Sequence, residues 1–292
     1  MKSIVIKFSV AAILLLSIAQ TAASQAPVST YQPPYTAVEP INKPGSAWGY
    51  VGNTSPIDRG DIFSNNHFEQ GFGFLQRKNL LVEGFGSLDA NFDSQGQIWA
   101  NSYIGQFGVK ANFLIRHGVV TVTASRAYEN QWLNGIKAWQ NEISVNTWIG
   151  WQEYTSRKFP GEAWAIVGDT SPAEKGNMLF MMFAQQGYVA HRFSAKTVFV
   201  PIIEETIGTD SQRFDWNNFT RTGFGAMLRL PHSFEVSGLY NYEIRPITGQ
   251  RAGGFSVNVK VWLGWELGAK VRDRFAPSGQ RSRLLLQNSL IR

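Results

Sequence analysis

One stretch of this chain occurs twice, and no other feature restricts the fold as strongly. Pro44-Gly45-Ser46-Ala47-Trp48-Gly49-Tyr50-Val51-Gly52-Asn53-Thr54-Ser55-Pro56 returns 116 residues on as Pro160-Gly161-Glu162-Ala163-Trp164-Ala165-Ile166-Val167-Gly168-Asp169-Thr170-Ser171-Pro172. Gly60, Gln70 and Gly71 recur at that spacing as Gly176, Gln186 and Gly187. Asp93-Ser94-Gln95, Trp99, Asn101, Phe107 and Gly108 recur one residue further apart, as Asp210-Ser211-Gln212, Trp216, Asn218, Phe224 and Gly225. Trp148-Ile149-Gly150-Trp151 recurs 114 residues on as Trp262-Leu263-Gly264-Trp265. The body is one unit of about 115 residues used twice, 44–159 and 160–272. Two such units pack together, because each alone would leave an apolar face bare.

Within a unit the dominant period is two, the signature of a strand. Tyr103, Gly105, Phe107, Val109, Ala111, Phe113 and Ile115 form one apolar side of a run whose other side is mostly polar or small. Phe255, Val257, Val259, Val261, Leu263, Trp265 and Leu267 face away from Ser256, Asn258, Lys260, Trp262, Gly264 and Glu266. Soluble strands mostly run about 3–10 residues, whereas a tilted strand crossing a bilayer needs about 9–11 in the hydrocarbon alone. Six strands per unit are predicted: 46–53, 66–76, 79–91, 98–116, 118–128 and 140–153, then 162–168, 178–192, 195–204, 217–230, 233–243 and 254–272. Connections after strands 2 and 4 of each unit are short. Those after strands 1, 3 and 5 read as longer loops, including 53–65, 92–97, 128–139, 205–216 and 245–254.

Lys2 and Lys7, an apolar core from Phe8 to Ala19 and small residues at 22–24 predict a signal peptide over 1–23. The apolar run is too short for a typical membrane-spanning helix. A Pro-rich periplasmic linker is predicted for 24–43 and a basic tail for 273–292. Without the two signal lysines the formal charge falls from +6 to +4, too mild for a dedicated nucleic-acid binder. There is no cysteine, hence no disulfide and no thiolate chemistry.

An amphipathic strand must set its apolar face against something. The polar faces here are thin in charge, with Asp, Glu, Lys and Arg only 16% of the chain against 13% aromatic. That favours apolar faces on lipid and polar faces inside, and in hydrocarbon a sheet must close so that every backbone group pairs. Tyr and Trp near strand ends (Trp99, Tyr103, Trp151, Tyr154, Tyr240, Tyr242) match interfacial girdles. On these patterns the stretch 44–272 resembles a bacterial outer-membrane β-barrel of the porin-like class: all-β, antiparallel, transmembrane, about twelve strands. The resemblance implies export to the outer membrane, outer-membrane lipid and the barrel-assembly machinery as partners, and both ends in the periplasm, where linker or tail could meet periplasmic partners. Such barrels usually close on an aromatic residue. Here Phe275 is followed by seventeen residues.

Chemistry is sparse. His67, His117, His191 and His232 lack the close spacing of a zinc site, and neither metal nor cofactor is expected. No histidine has serine two positions on, as in outer-membrane phospholipases, and there is no Gly-x-Ser-x-Gly elbow. No enzyme activity is expected. By parity, His67, Glu69, Glu83, Lys110, Arg116, Arg221, Arg229, Glu235, Lys260 and Glu266 line the lumen. Charges of both signs could set solute selectivity or pair across a narrow barrel and plug it. The repeated loop residues Asn53, Thr54, Ser55 and Asp169, Thr170, Ser171 read as turns that end a strand sharply, or as paired binding loops. Arg59-Gly60-Asp61 matches an adhesion tripeptide, but its counterpart is Lys175-Gly176-Asn177. The expected function is a passive channel or export conduit for small polar solutes or glycans. The alternatives are a non-conducting barrel for adhesion or scaffolding and a secreted Trp-rich carbohydrate-binding sandwich.

Overall fold

A computed structural model describes residues 44–266 except 54, 78, 98–99, 116, 152–157, 170 and 232–233, with backbone alone at 44, 262 and 264–266. The expected signal peptide, linker and tail, together with Thr54, Thr170, Arg116 and the side chain of Glu266, lie outside the described residues.

The chain forms a meander of antiparallel strands: β1 (Pro44–Asn53), β2 (Ile62–Arg77), β3 (Leu80–Asp93), β4 (Ser102–Ile115), β5 (Gly118–Gln131), β6 (Ile136–Trp151), β7 (Gly161–Asp169), β8 (Met178–Gly187), the two-residue β9 (His191–Arg192), β10 (Val198–Asp210), β11 (Phe219–Leu230), β12 (Phe234–Arg245) and β13 (Gln250–Glu266). β1 pairs with β13 and β10 with β11, so twelve strands close into a barrel, and β9 hooks onto β10. The closing register is matched on both sides. Trp48 lies opposite Trp262 where β1 meets β13, and Trp164 lies opposite Trp148 where β7 meets β6.

The faces are those of a protein in oil. Phe107, Phe224, Ile143, Val257, Leu263 and Phe255 project outward, Phe255 with 84% of its surface exposed. Lys110 and Glu83, by contrast, are 1% exposed inside the wall. A soluble sandwich would bury the first set and expose the second. Near the loop-bearing mouth Tyr103 packs on Trp132 and Phe92, with ring centroids 4.5 and 6.5 Å away, an aromatic group where hydrocarbon gives way to water.

Four boundaries differ from expectation. The predicted loop 128–139 is a tight turn between Gln131 and Ile136, and 245–254 is one between Arg245 and Gln250. Gly135 and Gly249 close these turns with φ of 71° and 73°, and their N–H groups reach the carbonyls of Gln131 and Arg245 at 2.9 and 2.8 Å. The strands were read as too short because outward residues turn polar there (Arg126, Asn130, Lys137, Asn141), which hides the alternation although the ladder continues. The predicted loop 205–216 is strand as far as Asp210. Finally, the predicted strand 178–192 breaks after Gly187. Tyr188 and Val189 give their N–H groups to Pro201 and Lys158 carbonyls, and Val189 packs against Val198, Val200 and Ile202.

Candidate functional site: the barrel interior and its mouth

Inward positions follow from strand pairing. His67 on β2 sits opposite Trp48 on β1 and Asp89 on β3. Its ring stacks on the Trp48 indole, centroids 5.7 Å apart, and its Nδ1 meets Asp89 Oδ1 at 2.8 Å. Two residues along, Glu69 pairs with Lys110, whose Nζ reaches over β3 and lies 4.2 Å from the Phe85 ring centroid. Glu83, opposite Lys110, accepts from Asn112 Nδ2 at 2.9 Å. His67, Glu69, Glu83 and Lys110 thus form one buried polar cluster on β2–β4. Parity alone could not show that Asp89 completes it.

Of the other predicted charges, Arg221, Arg229, Glu235 and Lys260 lie on β11, β12 and β13, on the far side of β1. Arg221 Nη2 lies 2.7 Å from Glu243 Oε2, and Arg229 Nη1 lies 3.5 Å from Glu235 Oε1. Lys260 extends from β13 until its Nζ is 5.9 Å from the Phe183 ring centroid on β8. Three strands (β10, β11 and β12) separate those two along the wall, so this contact spans the lumen. Phe183 itself stacks on Trp164 and joins Trp148, Leu179 and Val119 in an apolar cluster inside the barrel. The interior is nonetheless not solid. Gln106, Ser125 and Ser144 on one side and Glu162, Glu204, Thr206 and Arg221 on the other face inward yet remain partly accessible.

The repeated loops fold over the mouth. Ser171 Oγ bonds Glu129 on β5, and Ala173 N–H donates to Glu129 Oε2 at 3.1 Å. In the other half Arg245 on β12 grips the Asp58 carboxylate and donates to Ser55 Oγ at 3.3 Å, while its Nε donates to Glu243 Oε1 at 2.9 Å. Each loop is therefore tethered to a strand two places away around the wall. Ser55 and Ser171 also accept from Ile57 and Ala173 N–H groups at 3.0 and 3.1 Å, as serine turns do.

The recurring Asp-Ser-Gln and Asn residues have the same structural basis in both halves. Ser94 Oγ accepts from Ile62 N–H and donates to Asp61 Oδ1; Ser211 Oγ accepts from Met178 N–H and donates to Asn177 Oδ1. Gln95 and Gln212 donate to the carbonyls of Arg59 and Lys175 at 2.8 and 2.9 Å. Asp61 is fully buried in this circuit, so Arg59-Gly60-Asp61 is not presented as an adhesion tripeptide. Sequence reading passed over Glu129, Glu243 and Arg245. Glu129 and Glu243 stand at the same distance before the turn glycines Gly135 and Gly249, which was the available signal for those two; Arg245 has Gln131 as its counterpart.

No protein-family model and no curated protein matches the chain. Among solved structures it is similar to the translocator domain of autotransporter NalP from Neisseria meningitidis, at 11% identity and TM-score 0.36 over 79% of this chain and 90% of that one. It is also similar to LpxR from Salmonella typhimurium, at 8% identity and TM-score 0.36 over 74% of this chain and 99% of that one. OmpT, an outer membrane protein of Vibrio cholerae, matches at 7% identity and TM-score 0.33 over 76% and 99% of the two chains. These likenesses are of general shape only. The chain's own walls, apolar outside and polar inside, make it a closed transmembrane β-barrel of the outer-membrane type.

Proposed function

We propose that this barrel sits in the outer membrane and is a narrow passive conduit for small polar solutes, glycans among them, with no catalytic step. The observation that carries this reading is the inward face, where polar groups of both charge signs stand beside partly accessible space from Gln106 and Ser125 across to Glu204 and Arg221. A wall meant only to fill the barrel would be more stable if apolar, because buried ions retain a large desolvation penalty. The mouth loops are tied to Glu129 and Arg245 on one side and to Ser94, Gln95, Ser211 and Gln212 on the other, by side-chain bonds outside the ladder of the wall. Outer-membrane lipid and the barrel-assembly machinery are the partners this reading requires.

The burial of Lys110, Glu83 and Glu69 favours a second reading, a non-conducting barrel that acts through its outer surface. Single-channel recording in planar bilayers separates the two. The conduit gives discrete conductance steps; folded protein that inserts and gives none leaves only the second reading. Recovery in a soluble periplasmic or extracellular fraction, without heat-dependent gel mobility, would sink both.

A further inference from the structure

The outer face carries a guanidinium in one half at the place where the other half carries a ring. The turn glycines Gly135 and Gly249 align β5–β6 with β12–β13, so Arg126 and Asn141 correspond to Tyr240 and Phe255. Phe107 and Phe224 correspond on the preceding strands. Strand pairing bears the match out. Phe107 lies opposite Arg126 and Arg126 opposite Asn141, as Phe224 lies opposite Tyr240 and Tyr240 opposite Phe255. In the second half these three outward residues form an aromatic row with ring centroids 5.4 and 5.1 Å apart. The first half puts a cation in the middle of that row.

Arg126 is exposed but held in place. Its Nη1 donates to Asn141 Oδ1 at 3.1 Å, and its guanidinium carbon lies 5.3 Å from the Trp139 ring centroid. Trp139 packs in turn on Tyr128 at 4.8 Å. The fork keeps donors to spare, and it enters no ion pair among the described residues. Lys137, nearer the mouth on the same outward face, is exposed and also enters no ion pair among the described residues. Asp169, the outward carboxylate at the end of β7, accepts from Ile143 N–H at 3.0 Å. Away from the mouth, the outward residues next along β4, β5 and β6 are Val109, Val122, Ile143 and Val145, all exposed. Two cations therefore stand at the head of an apolar stripe that faces hydrocarbon.

We propose that the outward face of the β5–β6 hairpin binds the anionic phosphate headgroup of a membrane lipid in the leaflet at the mouth end, with the acyl chains along the apolar stripe. A guanidinium beside lipid tails is unfavourable unless it reaches the interface or an anion. The fork of Arg126 matches phosphate oxygens, and Lys137 adds a second positive charge. In a membrane phospholipid the phosphate sits just above the chains. A phosphate on Arg126 and chains on Val109, Val122, Ile143 and Val145 are therefore the two ends of one molecule. A free anion would leave the stripe unused, and a lipid without net charge would leave the cations unanswered. The second half offers Tyr240 and Phe255 to the chains and no cation in their row. This contact needs only that the barrel spans a bilayer, and it is independent of whether the lumen conducts.

The test is native mass spectrometry of the detergent-folded full chain titrated with dioleoyl phosphatidate, dioleoyl phosphatidylcholine and inorganic phosphate. Phosphatidate is expected to bind about tenfold more tightly than phosphatidylcholine, the difference of one charge-assisted contact. Excess inorganic phosphate is expected not to displace it. Arg126→Gln is expected to bring phosphatidate down to the phosphatidylcholine level, and Lys137→Gln to weaken it as well. Arg251→Gln, at the counterpart of Lys137 in the other half, is expected to keep wild-type affinity. Equal retention of the two lipids overturns the proposal. So does wild-type affinity in Arg126→Gln or, should that variant not fold, in Lys137→Gln. An equal loss in Arg251→Gln overturns it too, because any cation at the rim would then serve. Displacement by inorganic phosphate would assign the site to a free anion, and a dimer lost in Arg126→Gln would assign the face to a second copy; either result overturns the lipid.

Discussion

Ile143 donates its backbone N–H to Asp169 Oδ2 at 3.0 Å, and Val257 donates to Asn53 Oδ1 at 3.2 Å in the matching place of the other half. β6 outruns β7 and β13 outruns β1, the last pairs being Ser144 with Gly168 and Asn258 with Gly52. The Asn or Asp of each repeated loop caps the first N–H beyond the ladder. Asp169→Ala and Asn53→Ala should each lower unfolding free energy by about 1 kcal/mol, while Asp169→Asn retains most of it. The two losses should add, because the sites share no partner. Urea unfolding in micelles, followed by tryptophan fluorescence, measures both.

Lys110 is the cation nearest two buried carboxylates, Glu69 and Glu83. Lys110→Met should cost about 3–5 kcal/mol, because an uncompensated charge stays buried. Pairing it with Glu69→Leu should recover much of that loss. A double variant no more stable than the single one would show that the Glu69–Lys110 pair is not what Lys110 serves.

Phe224 is 59% exposed at the middle of β11. If its surroundings are lipid, Phe224→Arg should destabilise the folded barrel in bilayers by about 2–4 kcal/mol. In a protein whose outside is water, the same change would be nearly silent or favourable.

Arg229 and Glu235 pair inside the barrel and remain partly accessible. Arg229→Glu adds negative charge to the lumen and should move the reversal potential in a salt gradient toward cation preference. An unchanged potential in a conducting protein would place Arg229 outside the ion path.

Ser171→Ala removes the hydroxyl that ties the second mouth loop to Glu129. Longer or more frequent open events are expected in bilayer recordings, together with faster proteolysis within 171–177. Unaltered gating and cleavage would mean the loop is held by something other than this tether.

Much of the wall was legible in the sequence, because adjacent side chains on a strand point to opposite faces whatever lies beside them. Phe107 and Lys110 could be assigned to opposite faces on that ground alone. Strand ends were less legible. Arg126 and Lys137 stand on the outer face where it leaves the lipid, so hydrophobic alternation stopped before the hydrogen-bond ladder did. The break after Gly187 was hidden because it rests on Tyr188 and Val189 bonding to Pro201 and Lys158, contacts that no local pattern announces.

The alternation of faces, the matched halves and the polarity of the interior follow from the order of residues, since these depend only on local geometry and on what each side chain tolerates as a neighbour. That His67 meets Asp89, that Lys110 reaches Glu69 and that Ser171 finds Glu129 emerges only once the strands are paired. Those meetings depend on ring closure and on register, and a slip of one residue would turn each of these side chains to the opposite face of the wall.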